Sequence, residues 1–110
     1  MDKINEFLKQ NRRYNVYDFG TMELPTRRIV CRDGFSISVQ ANNFTYCKPR
    51  IDCGWPYSEV ELGFPSEEDE LINEYAEEGP DTEDYTKTVY GFVPINIVNE
   101  LIEKHGGIIN

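Results

Sequence analysis

Between Ile51 and Thr86 the chain has no lysine and no arginine, while thirteen of its side chains are acidic. The first fifty residues carry nine basic and five acidic side chains, and residues 87–110 carry two of each. The formal charge of −9 therefore originates in one segment. A field of that sign repels DNA, RNA and anionic membrane, and it steers basic partners inward. Histidine occurs once, as His105, and tryptophan once, as Trp55. A single histidine leaves little material for imidazole-based metal centres or proton relays. No apolar run approaches the ~20 residues that a membrane-spanning helix needs. The N-terminal stretch Met1–Tyr14 lacks an apolar h-region, which predicts no secretory leader and a soluble, cytoplasmic protein. No glycine-rich segment has the spacing of a phosphate cradle.

Cysteine is also scarce, at three residues: Cys31, Cys47 and Cys53. An odd number is a poor disulfide framework and suits a reducing compartment. The separation of Cys47 from Cys53 fits no common zinc-finger spacing, so the thiols are expected to be reduced and structural, with no metal or cofactor.

What the chain does have is enough apolar material for one core. Its 110 residues are 39% hydrophobic and 13% aromatic, which rules out a disordered polyelectrolyte and predicts one domain over residues 1–110. Asp2 is placed to cap a short helix with Ile4, Phe7 and Leu8 on one face. Tyr14 to Thr26 has no clear period and is expected to be loop or irregular edge, so residues 1–27 read as a helix and loop. Arg28–Arg32, Asp33-Gly34 and Phe35–Ala41 spell a hairpin, with Asp-Gly suited to a type I′ turn. Phe35, Ile37, Val39 and Ala41 alternate with Ser36, Ser38 and Gln40, so one sheet face is core and the other polar.

Residues 42–56 form a polar, proline-broken connection. A strand over Tyr57–Phe64 is expected to turn Val60, Leu62 and Phe64 inward and Glu59, Glu61 and Gly63 outward. Ser66 and the acidic run after it read as a capped helix start with Leu71, Ile72 and Tyr75 as its stripe. Residues 76–84 read as an acidic loop, and Tyr85–Phe92 as a fourth strand. Pro94 opens a final helix in which Ile95, Val98, Leu101 and Ile102 face the core, and Gly106-Gly107 ends it. The order predicts an α+β fold, with an antiparallel sheet of about four strands and two to three helices on one face.

Several segments taken together carry a resemblance. They are Asp33–Ala41, Tyr46–Arg50, Val60–Ser66, Val89–Pro94 and Ile102–Ile108. This combination resembles a family of short proteins encoded by bacteriophages and prophages, and the likeness spans residues 28–108. It implies a viral accessory protein working in the cytoplasm of a bacterial host.

The candidate partner-binding residues are Glu59, Glu61, Glu67, Glu68, Asp69, Glu70, Glu74, Glu77, Glu78, Asp81, Glu83 and Asp84. Spaced carboxylates on a small rigid domain can imitate a phosphate array and occupy a basic nucleic-acid-binding groove. Small phage inhibitors of restriction or CRISPR systems use that device, so the expected partner is a host protein with a basic surface, such as a defence nuclease. The plainer reading is a solvated acidic face that confers solubility. A second candidate is a ligand site built from Tyr46, Lys48, Arg50 and Trp55, where stacking and positive charge suit a nucleotide-like anion. Its plainer reading has Lys48 and Arg50 paired with the chain's own acids. A virion structural role and a homo-oligomer also fit the composition. No nucleophile and base stand at a catalytic spacing, so no catalytic residue is assigned and a non-enzymatic protein is expected.

Overall fold

A computed structural model describes residues 1–110. The elements are α1 (Lys3–Gln10), β1 (Arg13–Tyr17), β2 (Gly20–Leu24), β3 (Ile29–Val30), β4 (Ser36–Gln40), β5 (Glu59–Gly63), β6 (Val89–Pro94) and α2 (Ile95–Lys104). Strands β3 to β6 form an antiparallel sheet in sequential order, and β1 and β2 form a separate two-stranded ribbon. The fold is α+β. No helix is long and apolar enough to cross a membrane.

The alternation in Phe35–Ala41 fixes the register of the sheet. Val39 lies opposite Leu62, and Val60 opposite Val93, so the apolar residues share one face. That face meets Ile4, Phe7 and Leu8 of α1 and Val98, Leu101 and Ile102 of α2 in a single cluster of twenty buried residues. Fully burying one such aliphatic side chain contributes roughly 1.5–3 kcal/mol. Helix α1 is held by its cap, with the Asn5 N–H donating to Asp2 at 3.0 Å. Asn5 is itself fully buried, and its side-chain amide donates to the Tyr57 carbonyl and accepts from the Tyr57 N–H. This two-way bond stitches α1 to the start of the β5 strand and satisfies a polar group inside the core.

Both edges of the four-stranded sheet are closed. On the β3 side, Cys31 bridges to Ile108, Ile109 donates to Val30, and the Asn110 side chain bonds the main chain of Arg28 and Val30. On the β6 side, Ala76 bridges to Tyr90 and Glu77 donates to Val89.

Six expectations are corrected. First, Arg13–Leu24 is a regular two-stranded ribbon rather than a loop or irregular edge strand. Second, no α-helix follows Ser66; only two short 3-10 turns form, at Asn73–Tyr75 and Gly79–Asp81. The physical reason is local competition. The Asp69 side chain accepts from the Leu71 N–H, its carbonyl accepts from Ile72, and the Ser66 hydroxyl is taken by the Ser36 N–H. These short-range bonds offer the backbone an alternative to the helix.

Third, the turn between β3 and β4 has three residues. Gly34 alone has positive φ (95°), the Gly34 N–H donates to Cys31, and the Cys31 N–H donates to Phe35. This is the three-residue hairpin with glycine in the left-handed position, not type I′. Fourth, Phe64 is half-exposed with φ 50°, so it leaves the core-facing pattern that Val60 and Leu62 keep, while Gly63 is buried. Fifth, β6 begins at Val89, because the Asp84 side chain folds Tyr85–Lys87 into a turn through the Thr86 N–H and hydroxyl. Sixth, Pro94 stands as the residue before α2 rather than its first, because its ψ of 139° is extended rather than helical.

Candidate functional site

The acidic candidates separate into three groups. Glu67, Glu68, Glu70, Glu74, Glu77, Glu78, Asp81, Glu83 and Asp84 are exposed. Among these nine, Asp84 alone makes an ion pair, with Lys87 at 3.9 Å. The other eight face solvent with no cationic partner. They are carried on turns because this stretch hydrogen-bonds to its own side chains, as in the bond from the Asn73 amide to Glu68.

Glu59 and Glu61 are half-buried on the polar face of the sheet. Glu61 accepts the Tyr46 N–H at 2.8 Å, so it serves to hold the 42–56 connection down rather than face a partner. It sits opposite a bulge in β6, between the Val60–Val93 and Leu62–Tyr90 pairs, where Phe92 takes φ 52°.

Asp69 is buried and leaves the acidic face altogether. One of its oxygens lies 2.9 Å from Nε2 of His105, and Lys104 Nζ lies 3.1 Å from both. Nδ1 of His105 lies 2.7 Å from Asp33. A carboxylate on each ring nitrogen favours the doubly protonated ring, the imidazolium, in which both nitrogens donate. Its ring stacks on Phe35 at 3.9 Å between centroids. Burial lowers the pKa of His105, but the hydrogen bonds and charges of Asp33 and Asp69 outweigh it and hold the value above 6.5. Burial likewise pushes the Asp69 carboxyl up, and the Leu71 N–H, His105 and Lys104 together hold it below 3.8. This network joins the end of α2 to the β3–β4 turn and to the 66–72 segment. It is a structural clamp, and the helix-end position of His105 gave little sequence signal of it because its partners lie 36 and 72 residues away.

The second candidate group is only partly assembled. The Arg50 guanidinium lies 5.4 Å from the centroid of the Tyr46 ring and donates to the Phe44 carbonyl at 3.4 Å. Tyr46 in turn tilts against Phe92, with centroids 5.7 Å apart. Trp55 packs elsewhere, edge-on to Tyr57 beside the core, and Lys48 contributes main-chain bonds to Glu59 with its side chain exposed. Neither Lys48 nor Arg50 pairs with the acidic segment. Two clefts of about 500 and 430 Å³ lie between α1, the end of α2 and the C-terminal tail, and none of these four residues lines either.

The cysteines are unpaired, with Cys31 and Cys47 buried and Cys53 exposed. Cys47 donates its thiol hydrogen to the Asn42 carbonyl at 3.1 Å, and His105 is committed to two aspartates. One further carboxylate escaped the sequence reading. Glu23, on β2, is pushed up to about 7 by burial and by the neighbouring Asp52, against the opposing pull of Arg12.

No family model, no curated protein and no solved structure matches this chain.

Proposed function

We propose that this is a non-enzymatic accessory protein that binds a host protein through its acidic face, and that the partner is a basic, nucleic-acid-binding defence factor of the restriction or CRISPR type. The carrying observation is the set of eight exposed carboxylates between Glu67 and Glu83 that the protein leaves without an ion-pair partner. Unpaired like charges on one short segment destabilise the compact state through self-repulsion, so their retention is consistent with a role outside the molecule. Asp69 and Glu61 fall outside this face because their carboxylates bond within the fold, and Glu59 because it lies half-buried on the sheet, away from the 67–84 segment. The phage-type origin that the sequence resemblance implies agrees with a bacterial cytoplasmic setting.

The test is capture of partners from bacterial lysate at low and high salt, followed by identification of the retained proteins and small molecules. A basic DNA- or RNA-binding protein held at low salt and released at high salt is the expected outcome. Replacing Glu67, Glu68, Glu70, Glu74, Glu77 and Glu78 with glutamine should abolish retention. Salt-insensitive binding, or binding that survives the replacement, would overturn the reading.

The Tyr46–Arg50 stack favours a second reading, a binding site for a nucleotide-like anion on the outer face of the sheet. Retention of a small molecule that is lost in Arg50→Ala, with no protein partner, would establish that reading instead.

A further inference from the structure

We propose that the β1–β2 ribbon is a dimerisation arm, and that two copies of this chain pair β1 with β1 in antiparallel register about a two-fold axis at Asn15. The proposal is independent of the acidic face and stands on four observations.

The first is exposure. Eight of the ten ribbon residues are exposed, and Glu23 and Leu24 at its base are half-buried. Val16 is 73% exposed, Phe19 in the connecting turn is 77% exposed, and Tyr14, Tyr17 and Met22 are each above 40%. A two-stranded hairpin on its own is at best marginally stable in water, and a third or fourth strand is what ordinarily secures one.

The second is the state of the sheet edges. Strands β3 and β6 are closed by the tail and by residues 76–77, whereas no main-chain bond links β1 to anything except β2. In the ribbon Tyr17 pairs with Gly20, Asn15 with Met22 and Arg13 with Leu24. With a two-residue turn, Tyr17 and Gly20 exchange the first hydrogen bonds, and alternation then directs the main-chain groups of Tyr14 and Val16 outward. The β2 edge is less free, because Glu23 and Leu24 at its base are half-buried and Glu23 lies beside Asp52 of the 42–56 connection.

The third is self-complementarity. An axis at Asn15 sets Tyr14 opposite Val16 of the second copy, twice, and Arg13 opposite its Tyr17, twice. Tyr14 and Val16 are the two residues whose N–H and C=O point outward, so this register gives every outward group a partner. Aromatic–β-branched and cation–aromatic pairs are favourable across strands, and no like charges meet. A surface that complements itself in this way is what a two-fold dimer requires.

The fourth is charge. Arg13 and Glu23 are the only charged residues of the two strands, and the −9 of the chain arises from residues 51–86. The ribbon is therefore a place where two acidic molecules can meet without bringing charged side chains of one sign together. Pairing of two short strands falls below the ~800 Å² per partner of a standard interface, so the dimer should be reversible and concentration-dependent.

The experiment is sedimentation equilibrium over a wide concentration range, combined with site-directed crosslinking. The expected result is a rise from the 12.8 kDa monomer toward twice that mass. In a Cys53→Ser background, Asn15→Cys should form an intermolecular disulfide under mild oxidation. Its Cα atoms would lie about 4.5 Å apart in a non-hydrogen-bonded pair, inside the about 4.4–6.8 Å that a disulfide accepts. Thr21→Cys, on the opposite strand, should crosslink at least tenfold more slowly. Asn15→Lys places two ammonium groups face to face and should abolish the dimer, while Met22→Lys should leave it. A monomer at all concentrations, equal crosslinking of Asn15→Cys and Thr21→Cys, or a dimer that survives Asn15→Lys would each overturn the proposal.

Discussion

Asp69 and its neighbours Glu67, Glu68 and Glu70 belong to one run of sequence, yet they occupy opposite environments. Asp69 is buried and meets His105 and Lys104; the three glutamates point to solvent with no cationic partner. Glu23 is intermediate, since its side chain is mostly buried but faces another carboxylate, Asp52, as well as Arg12. The contrast teaches that charge of one sign does different work depending on what surrounds it. Paired and buried, a carboxylate clamps the fold; exposed and unpaired, it shapes the field that a partner feels; buried beside another acid, it becomes sensitive to pH.

The sharpest way to break this contrast is to remove Asp69. Asp69→Ala leaves His105 with one carboxylate and opens the 66–72 turn, and it should cost on the order of 3 kcal/mol, as truncating one member of a buried ion pair does. Urea unfolding measures it directly; a loss below ~0.5 kcal/mol would mean that the clamp is dispensable.

The pH dependence of stability gives a subtler view of the same clamp. The folded-state pKa of His105 is raised above 6.5, so its contribution is complete below that value and is lost as pH rises through the raised value. Asp69 is lowered below 3.8, so its contribution is present above 3.8 and disappears as pH falls through the lowered value. Stability should therefore be greatest between these limits and decline on both sides. His105→Gln should reduce the alkaline decline to the part set by Glu23 and should also shrink the acid one, since His105 helps hold Asp69 low; an unchanged alkaline limb would remove the imidazolium assignment.

Glu23→Gln tests the intermediate case. A carboxyl whose folded pKa is pushed up to about 7 favours the protonated form in the folded state, so ionisation costs stability as pH rises from 4.5 toward 7. The substitution should stabilise the protein by about 1 kcal/mol at pH 8 and be close to neutral at pH 5, as thermal melts would record. Destabilisation at pH 8 would show that the Arg12 contact outweighs the repulsion from Asp52.

The smallest expected effects belong to the exposed acids. Each of Glu67→Gln, Glu70→Gln and Glu77→Gln should change stability by less than ~0.5 kcal/mol. Added salt should stabilise the parent protein slightly by screening the repulsion. A large loss from any one of them would reveal an internal role like that of Asp69.

Sequence periodicity made most of the sheet and both helices legible. The alternation Phe35–Ala41 and the i, i+3, i+6, i+7 spacing of Ile95, Val98, Leu101 and Ile102 report a face directly, because burial in regular structure repeats at the period of the backbone. The capping role of Asp2 and the glycine stop after His105 are likewise local chemistry. The ribbon went unread because nothing buries one of its faces, so no alternation was selected in Tyr14–Leu24. The absent third helix and the inward turn of Asp69 were hidden for the converse reason. A capped acidic start is a sound local signal, but a buried imidazolium on α2 claims Asp69 from 36 residues away.

The sequence by itself determined the composition of the field, the existence of one core and the α+β class, since charge count, apolar fraction and period are properties of the chain. Only the tertiary structure decided which acids are free. That choice depends on where cations and hydrogen-bond donors arrive in space, and no spacing along the chain encodes the meeting of Asp33, Asp69 and Lys104 around one imidazole.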